Sequence, residues 1–153
     1  MKKIIIKGII FIIIGFILGN YLFGNKLELL KKRNNYEIYY FLQEGVYSSK
    51  ENLNNNLKRL SQKVIDYKDN KYYVYIGITK DKKVSNKIKK IYEKQGFKIY
   101  EKELLIESSY FSSNVDQFDL LIKSTNNEDE ILTIEEIVLA NYEEIKKNSS
   151  KKE

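Results

Sequence analysis

The chain has 153 residues, enough for one domain of ordinary size with attachments. It carries 27 basic and 21 acidic side chains, a formal net charge of +6. It has no Cys and no His, which excludes disulfides, thiolate chemistry, Ser-His and Cys-His nucleophile systems and most zinc sites. None of the seven glycines belongs to a phosphate-cradling loop. Glu44, Asp66, Asp69 and Glu101 show no recognisable catalytic pairing. The chain is therefore not read as an enzyme, and no cofactor or metal is implied.

The charge is unevenly placed. Residues 25–102 hold 19 basic and 9 acidic side chains, net +10, whereas residues 103–153 hold 5 and 12, net −7. A basic body with an acidic tail suits either a polyanionic ligand or a tail that folds back.

Ile4 to Phe23 is apolar apart from Lys7, Asn20 and Tyr21. Twenty helical residues at ~1.5 Å each span about 30 Å, the thickness of a bilayer core. Lys7 can snorkel to the headgroups, and Tyr21 and Phe23 suit the far interface. The rival reading is a cleaved signal peptide with Met1-Lys2-Lys3 as its basic region, but no A-x-A-like site follows the apolar run. Residues 1–24 are thus read as a transmembrane anchor and 25–35 as a charged linker. Lys2, Lys3 and Lys7 flank one side; Lys26, Lys31, Lys32 and Arg33 flank the other. The positive-inside rule leaves the orientation open.

Two similar units follow. The first runs from Tyr39-Tyr40-Phe41-Leu42 to Gly45, through a polar helical stretch, to Lys63–Lys68. The second runs from Tyr72-Tyr73-Val74-Tyr75-Ile76-Gly77, through another helical stretch, to Phe97–Lys102. The opening runs are aromatic and β-branched, as strands require. Ser48 or Ser49 can cap the first helix, whose buried stripe is Leu53, Leu57 and Leu60. Val84, Ile88 and Ile91 repeat the stripe in the second, with Gly96 just past its end. Asp69-Asn70 makes the tight turn between the units. The order predicts an α+β, ferredoxin-like or RNP-like βαββαβ domain: a four-stranded antiparallel sheet, two helices on one face, and the other face open.

In residues 105–153, Glu107 to Asn114 reads as a Ser-rich turn and Val115 to Ser124 as a short helix. A longer helix carries the stripe Ile131, Ile134, Ile137, Val138, Asn141 and Ile145, with Glu135, Glu136, Glu143 and Glu144 as an acidic face. The stripe implies packing on the domain or on a partner helix. Lys146 to Glu153 is expected to be disordered.

The stretch Tyr39-Tyr40-Phe41-Leu42-Gln43-Glu44-Gly45-Val46-Tyr47-Ser48-Ser49 resembles the opening of a SPOR (sporulation-related repeat) domain. That family starts with an aromatic strand, a Gln two residues before a Gly, a nearby aromatic and a Ser-rich turn into a helix. Its second half has a paired-aromatic strand ending in Gly, as Tyr72 to Gly77 does here. The resemblance covers residues 36–104. The family usually has a small apolar residue where Glu44 stands, a basic residue where Tyr73 or Tyr75 stands, and small residues where the first helix here is largely Asn.

The resemblance implies binding of peptidoglycan glycan strands stripped of their stem peptides, on the open sheet face, and gathering at division or sporulation septa. It also implies an N-terminus in the cytoplasm and a C-terminal domain outside it, with division or sporulation proteins as further partners. Alternation along the strands assigns Phe41, Gln43, Tyr73 and Tyr75 to the open face, and the resemblance implies that they are the glycan-binding residues. Aromatic planes beside an amide suit a sugar polymer, though cross-strand Tyr pairs also stabilise sheets. Glu44 falls on the helix-facing side, where a charge is costly.

An RNA-binding reading lacks its motif: Asn70 to Gly77 does not carry the internal Gly and Phe of an RRM strand, so no nucleic acid is expected. The remaining alternative is a membrane-tethered assembly factor that binds protein through the sheet or the acidic helix.

Overall fold

A computed structural model describes residues 36–107 and 109–149. The anchor and linker assigned to residues 1–35 lie outside the described residues, as do residues 150–153. Among the described residues no helix is long and apolar enough to cross a membrane.

The elements are β1 (Tyr36–Tyr47), α1 (Lys50–Leu57), β2 (Val64–Lys68), β3 (Lys71–Thr79), α2 (Lys82–Lys94), β4 (Tyr100–Glu107), α3 (Ser109–Ser124) and α4 (Glu128–Ser149). The fold is α+β, with one four-stranded antiparallel sheet in the order β2-β3-β1-β4. The two similar units interlock, and their opening strands β1 and β3 lie side by side at the centre.

The local signals act as their chemistry dictates. Ser49 Oγ accepts from Asn52 N and caps α1. Asp81 does the same for α2, accepting from Lys83 N at 2.8 Å and Val84 N at 3.2 Å. The end of α2 is a Schellman motif. Phe97 N donates to Tyr92 O, Gly96 N donates to Glu93 O, and Gly96 takes φ +85°. Asp69 and Asn70, at φ 51° and 58°, form the two-residue turn whose twist matches the strands it joins.

Strict alternation breaks twice between β1 and β3. Leu42 pairs with Gly77 and Gln43 with Tyr75, so Ile76 has no partner; Gly45 then pairs with Val74, so Glu44 has none. These two bulges cancel, and the register is restored beyond them. They also give Glu44 a place. It stands in the bulge, half-buried, and its carboxylate accepts from Tyr47 Oη at 2.8 Å.

Three expectations for the C-terminal segment need correction. Ser109 to Asn114 is helical rather than a turn, because α3 begins where Phe111 stacks on Tyr39, with ring centroids 5.3 Å apart. Lys146 to Ser149 is the last turn of α4 rather than disordered chain, since Lys146 donates to Ile65 O and pairs with Asp66 of β2. Glu135 is not on an acidic outer face; it is fully buried.

The largest correction concerns the sheet. Both of its faces are covered. α1 and α2 pack on one, with Leu53, Leu57, Val84, Ile88 and Ile91 buried. Gly77 lets α2 come close there: a Cβ on it would lie 3.0 Å from Leu42 Cδ1 and 3.3 Å from Ile88 Cγ2. The hairpin of α3 and α4 covers the face expected to be open, and wraps the edge of β3.

That edge explains the attachment. β2 pairs only as far as Val64 with Tyr75, so β3 has no strand neighbour on that side beyond Tyr75. The freed backbone donors need partners. Glu135 of α4 accepts from Ile78 N at 2.5 Å. Asp119 of α3 accepts from Lys80 N at 3.0 Å and from Thr79 Oγ1 at 2.5 Å. Two carboxylates from the hairpin thus replace a missing strand.

Candidate functional site

The four residues assigned to glycan binding do come together. Gln43 and Tyr75 are register partners, and Phe41 meets Tyr75 edge-on with ring centroids 5.0 Å apart. Tyr73 is half-buried opposite Asp66. They do not form an open surface, however. Phe41 is 0% exposed, and Gln43 and Tyr75 are each 6% exposed. Tyr142 of α4 lies edge-on to Phe41, 5.2 Å away, and its hydroxyl donates to Asp66 at 3.4 Å. Burial pushes the Tyr75 hydroxyl up to about 12 and raises that of Tyr142 further.

Magnitudes decide whether the hairpin is a lid. It buries Phe111, Val115, Phe118, Ile122, Ile131, Ile134, Val138 and Leu139. Returning side chains of this size to water costs at most about 1.5–3 kcal/mol each. Eight of them match or exceed the ~5–15 kcal/mol that holds a whole domain folded. The hairpin is part of the core, and the aromatic face is its wall.

Polar contacts lock it further. Lys80 pairs with Glu37 at 2.6 Å and with Asp116 at 2.8 Å, and donates to Ser112. Lys87 donates to the carbonyls of Ile122 and Thr125 at the end of α3. Lys94 pairs with Glu128, and Lys123 with Asp81. The acidic segment thus answers part of the excess positive charge of the basic body. Asp119 and Glu135 feel their burial most. The Asp119 carboxyl is pushed up to about 6, and that of Glu135 well above the ordinary carboxylate range. No group of three or more acidic side chains among the described residues could hold a metal ion.

A cleft of about 330 Å³ lies open beside the β1 bulge. Asn55, Asn56 and Arg59 line it from α1 and the residues after it. Gly96, Phe97 and Lys98 line it from the loop after α2, with Glu44 and Tyr100 from the two strands. Arg59 Nη2 donates to Gln95 O at 3.1 Å, and its guanidinium lies 4.8 Å from the Phe97 ring centroid. Lys98 Nζ lies 5.2 Å from the centroid of Tyr100, a ring 45% exposed. The Tyr100 hydroxyl raises the pKa of Lys98, which stays charged. Sequence reasoning did not assemble this cleft, because its residues come from three separate segments. Its one visible signal was that Glu44 and the Asn-rich helix depart from the resembled pattern.

The described residues form an α+β domain with helices on both faces of the sheet, and a polar, cationic-aromatic cleft lies beside the β1 bulge. Comparison with family models, with curated proteins and with solved structures finds no match.

Proposed function

We propose that the chain is a single-pass membrane protein with a cytoplasmic N-terminus, whose extracytoplasmic SPOR-like domain binds denuded peptidoglycan strands and gathers at division or sporulation septa. The observation that supports this most is the β2-β3-β1-β4 order of two strand-helix-strand units, the arrangement the resemblance implies. The apolar run from Ile4 to Phe23 supplies the anchor. The aromatic sheet face is core, so the glycan is held on the outer surface of the domain.

The test is retention of the full chain, in detergent, on purified sacculi with and without amidase treatment. Greater retention on the treated sacculi is expected, and no retention on either would overturn the reading. Protease added to protoplasts should also remove a C-terminal tag; a protected tag would reverse the orientation.

A second reading, a membrane-tethered assembly factor, is favoured by one observation. Ile38 and Leu105 are direct register partners on β1 and β4, yet they are 54% and 66% exposed. An exposed apolar pair beside a strand edge with no strand neighbour among the described residues suits a protein partner. Under this reading Leu105→Lys abolishes a septal band while sacculus retention is unchanged. A normal band in that variant would count against it.

A further inference from the structure

We propose that the cleft beside Glu44 takes an oxyanion carried on a cell-wall polymer, with Arg59 and Lys98 as its cationic jaws and Tyr100 as a platform for the adjoining sugar. The proposal rests on the glycan reading above and relocates the contact from the buried sheet face. Two cations line the cleft against one carboxylate, Glu44, which already accepts from Tyr47. Each cation lies over an aromatic ring, which holds it in place at low entropic cost. Arg59 uses one of its five donors on Gln95 O, and a planar guanidinium matches carboxylate or phosphate geometry. Asn55 and Asn56 add amides that can both donate and accept, as hydroxyls and acetamido groups require. The volume is at the small end of ligand clefts, which suits a single sugar unit with its charged substituent.

This chemistry also supplies a reason to prefer a denuded strand. Hydrolysis of the amide that joins a stem peptide to the lactyl group of muramic acid leaves a carboxylate there. A bulky peptidyl amide becomes a compact carboxylate held directly on the sugar, which the two cations of the cleft can reach. A phosphate on a wall polymer presents related chemistry, so the test must separate the two sources.

Binding is measured by fluorescence anisotropy with the full chain in detergent. The probes are labelled peptide-free strands of alternating N-acetylglucosamine and N-acetylmuramic acid, the same strands with the lactyl carboxylates amidated, neutral N-acetylglucosamine oligomers, and poly(glycerol phosphate). Arg59→Gln and Lys98→Gln should each weaken binding of the anionic probe by about tenfold or more, as loss of a charge-assisted hydrogen bond does. Amidated strands should bind the wild type as weakly as neutral oligomers do. Unchanged melting temperatures would show that the variants remain folded, and Tyr100→Ala should weaken binding without altering the preference for the anion. If poly(glycerol phosphate) shows the same loss in the variants, phosphate is the source of the oxyanion. If the wild type binds free and amidated strands equally and both Gln variants match it, the cleft proposal falls while glycan binding stands. If the wild type binds none of the four probes, both readings fall together.

Discussion

The Glu135 carboxylate accepts a hydrogen bond from the Ile78 backbone N–H at 2.5 Å, fifty-seven residues away along the chain. Glu135 is fully buried, and its second oxygen, Oε2, has no hydrogen-bond partner among the described residues. Burial favours its protonated form. A carboxyl whose pKa is raised on folding gives stability that is fully present below its unfolded pKa and is lost as pH rises toward the folded value. Glu135→Gln keeps an acceptor for Ile78 and cannot ionise. Its melting temperature should therefore exceed that of the wild type, and the gap should widen as pH rises above about 4.5, by up to about 1.4 kcal/mol per unit. Glu135→Ala strands the Ile78 donor and should cost about 1–3 kcal/mol plus the cavity term. Thermal melts from pH 4 to 8 check both; a gap independent of pH would show that Glu135 does not titrate above its ordinary range.

Asp119 should add a narrower pH dependence of the same sign. Its carboxyl rises from 3.8 to about 6, chiefly by burial, against the opposing hydrogen bonds from Thr79 and Lys80 N. Its contribution is complete below pH 3.8 and fades as pH passes through about 6. Asp119→Asn should flatten the melting curve's pH profile in that window. A profile identical to that of the wild type would argue against the raised value.

Phe41 and Tyr75 are core residues in this fold. Phe41→Ala removes a ring that meets both Tyr75 and Tyr142, and should cost about 3–5 kcal/mol in urea unfolding. Tyr75→Ala should be of similar size. A loss under 1 kcal/mol for either would mean that the hairpin does not seal that face. Deleting residues 105–153 should abolish cooperative unfolding, because Tyr39, Phe41 and Tyr75 would lose their cover.

The Lys80 pairs are partly exposed, with side-chain exposures of 19% for Lys80, 42% for Glu37 and 57% for Asp116. A Lys80/Asp116 double-mutant cycle should give a coupling of only about 0.2–1 kcal/mol, smaller at high salt. A larger, salt-insensitive coupling would show that the pair is effectively buried.

Asn70 sits at φ 58° in the β2–β3 turn. Asn70→Gly should be neutral to slightly stabilising, whereas Asn70→Val should cost about 1–2 kcal/mol, the penalty for a left-handed conformation. Equal melting temperatures for both variants would mean that the turn relaxes to another form.

The sequence by itself determined the two units and their punctuation. Ser49 starts its helix, Gly96 ends the other and Asp69-Asn70 turns the chain because the capping and left-handed geometry there depend on local chemistry alone. The aliphatic stripes of α1 and α2 were legible for the same reason: a period of 3.6 is written in one segment. The tertiary structure alone decided which surface is solvent. Alternation places Phe41 and Tyr75 on one face, but nothing local says whether that face meets water or Phe111 and Tyr142, which lie far along the chain. The buried position of Glu135 was equally hidden, since its cause is a β2 strand too short to satisfy Ile78 and Lys80. The bulge at Glu44, which turns a costly inward charge into part of a cleft, depends on a register that only the paired strands define.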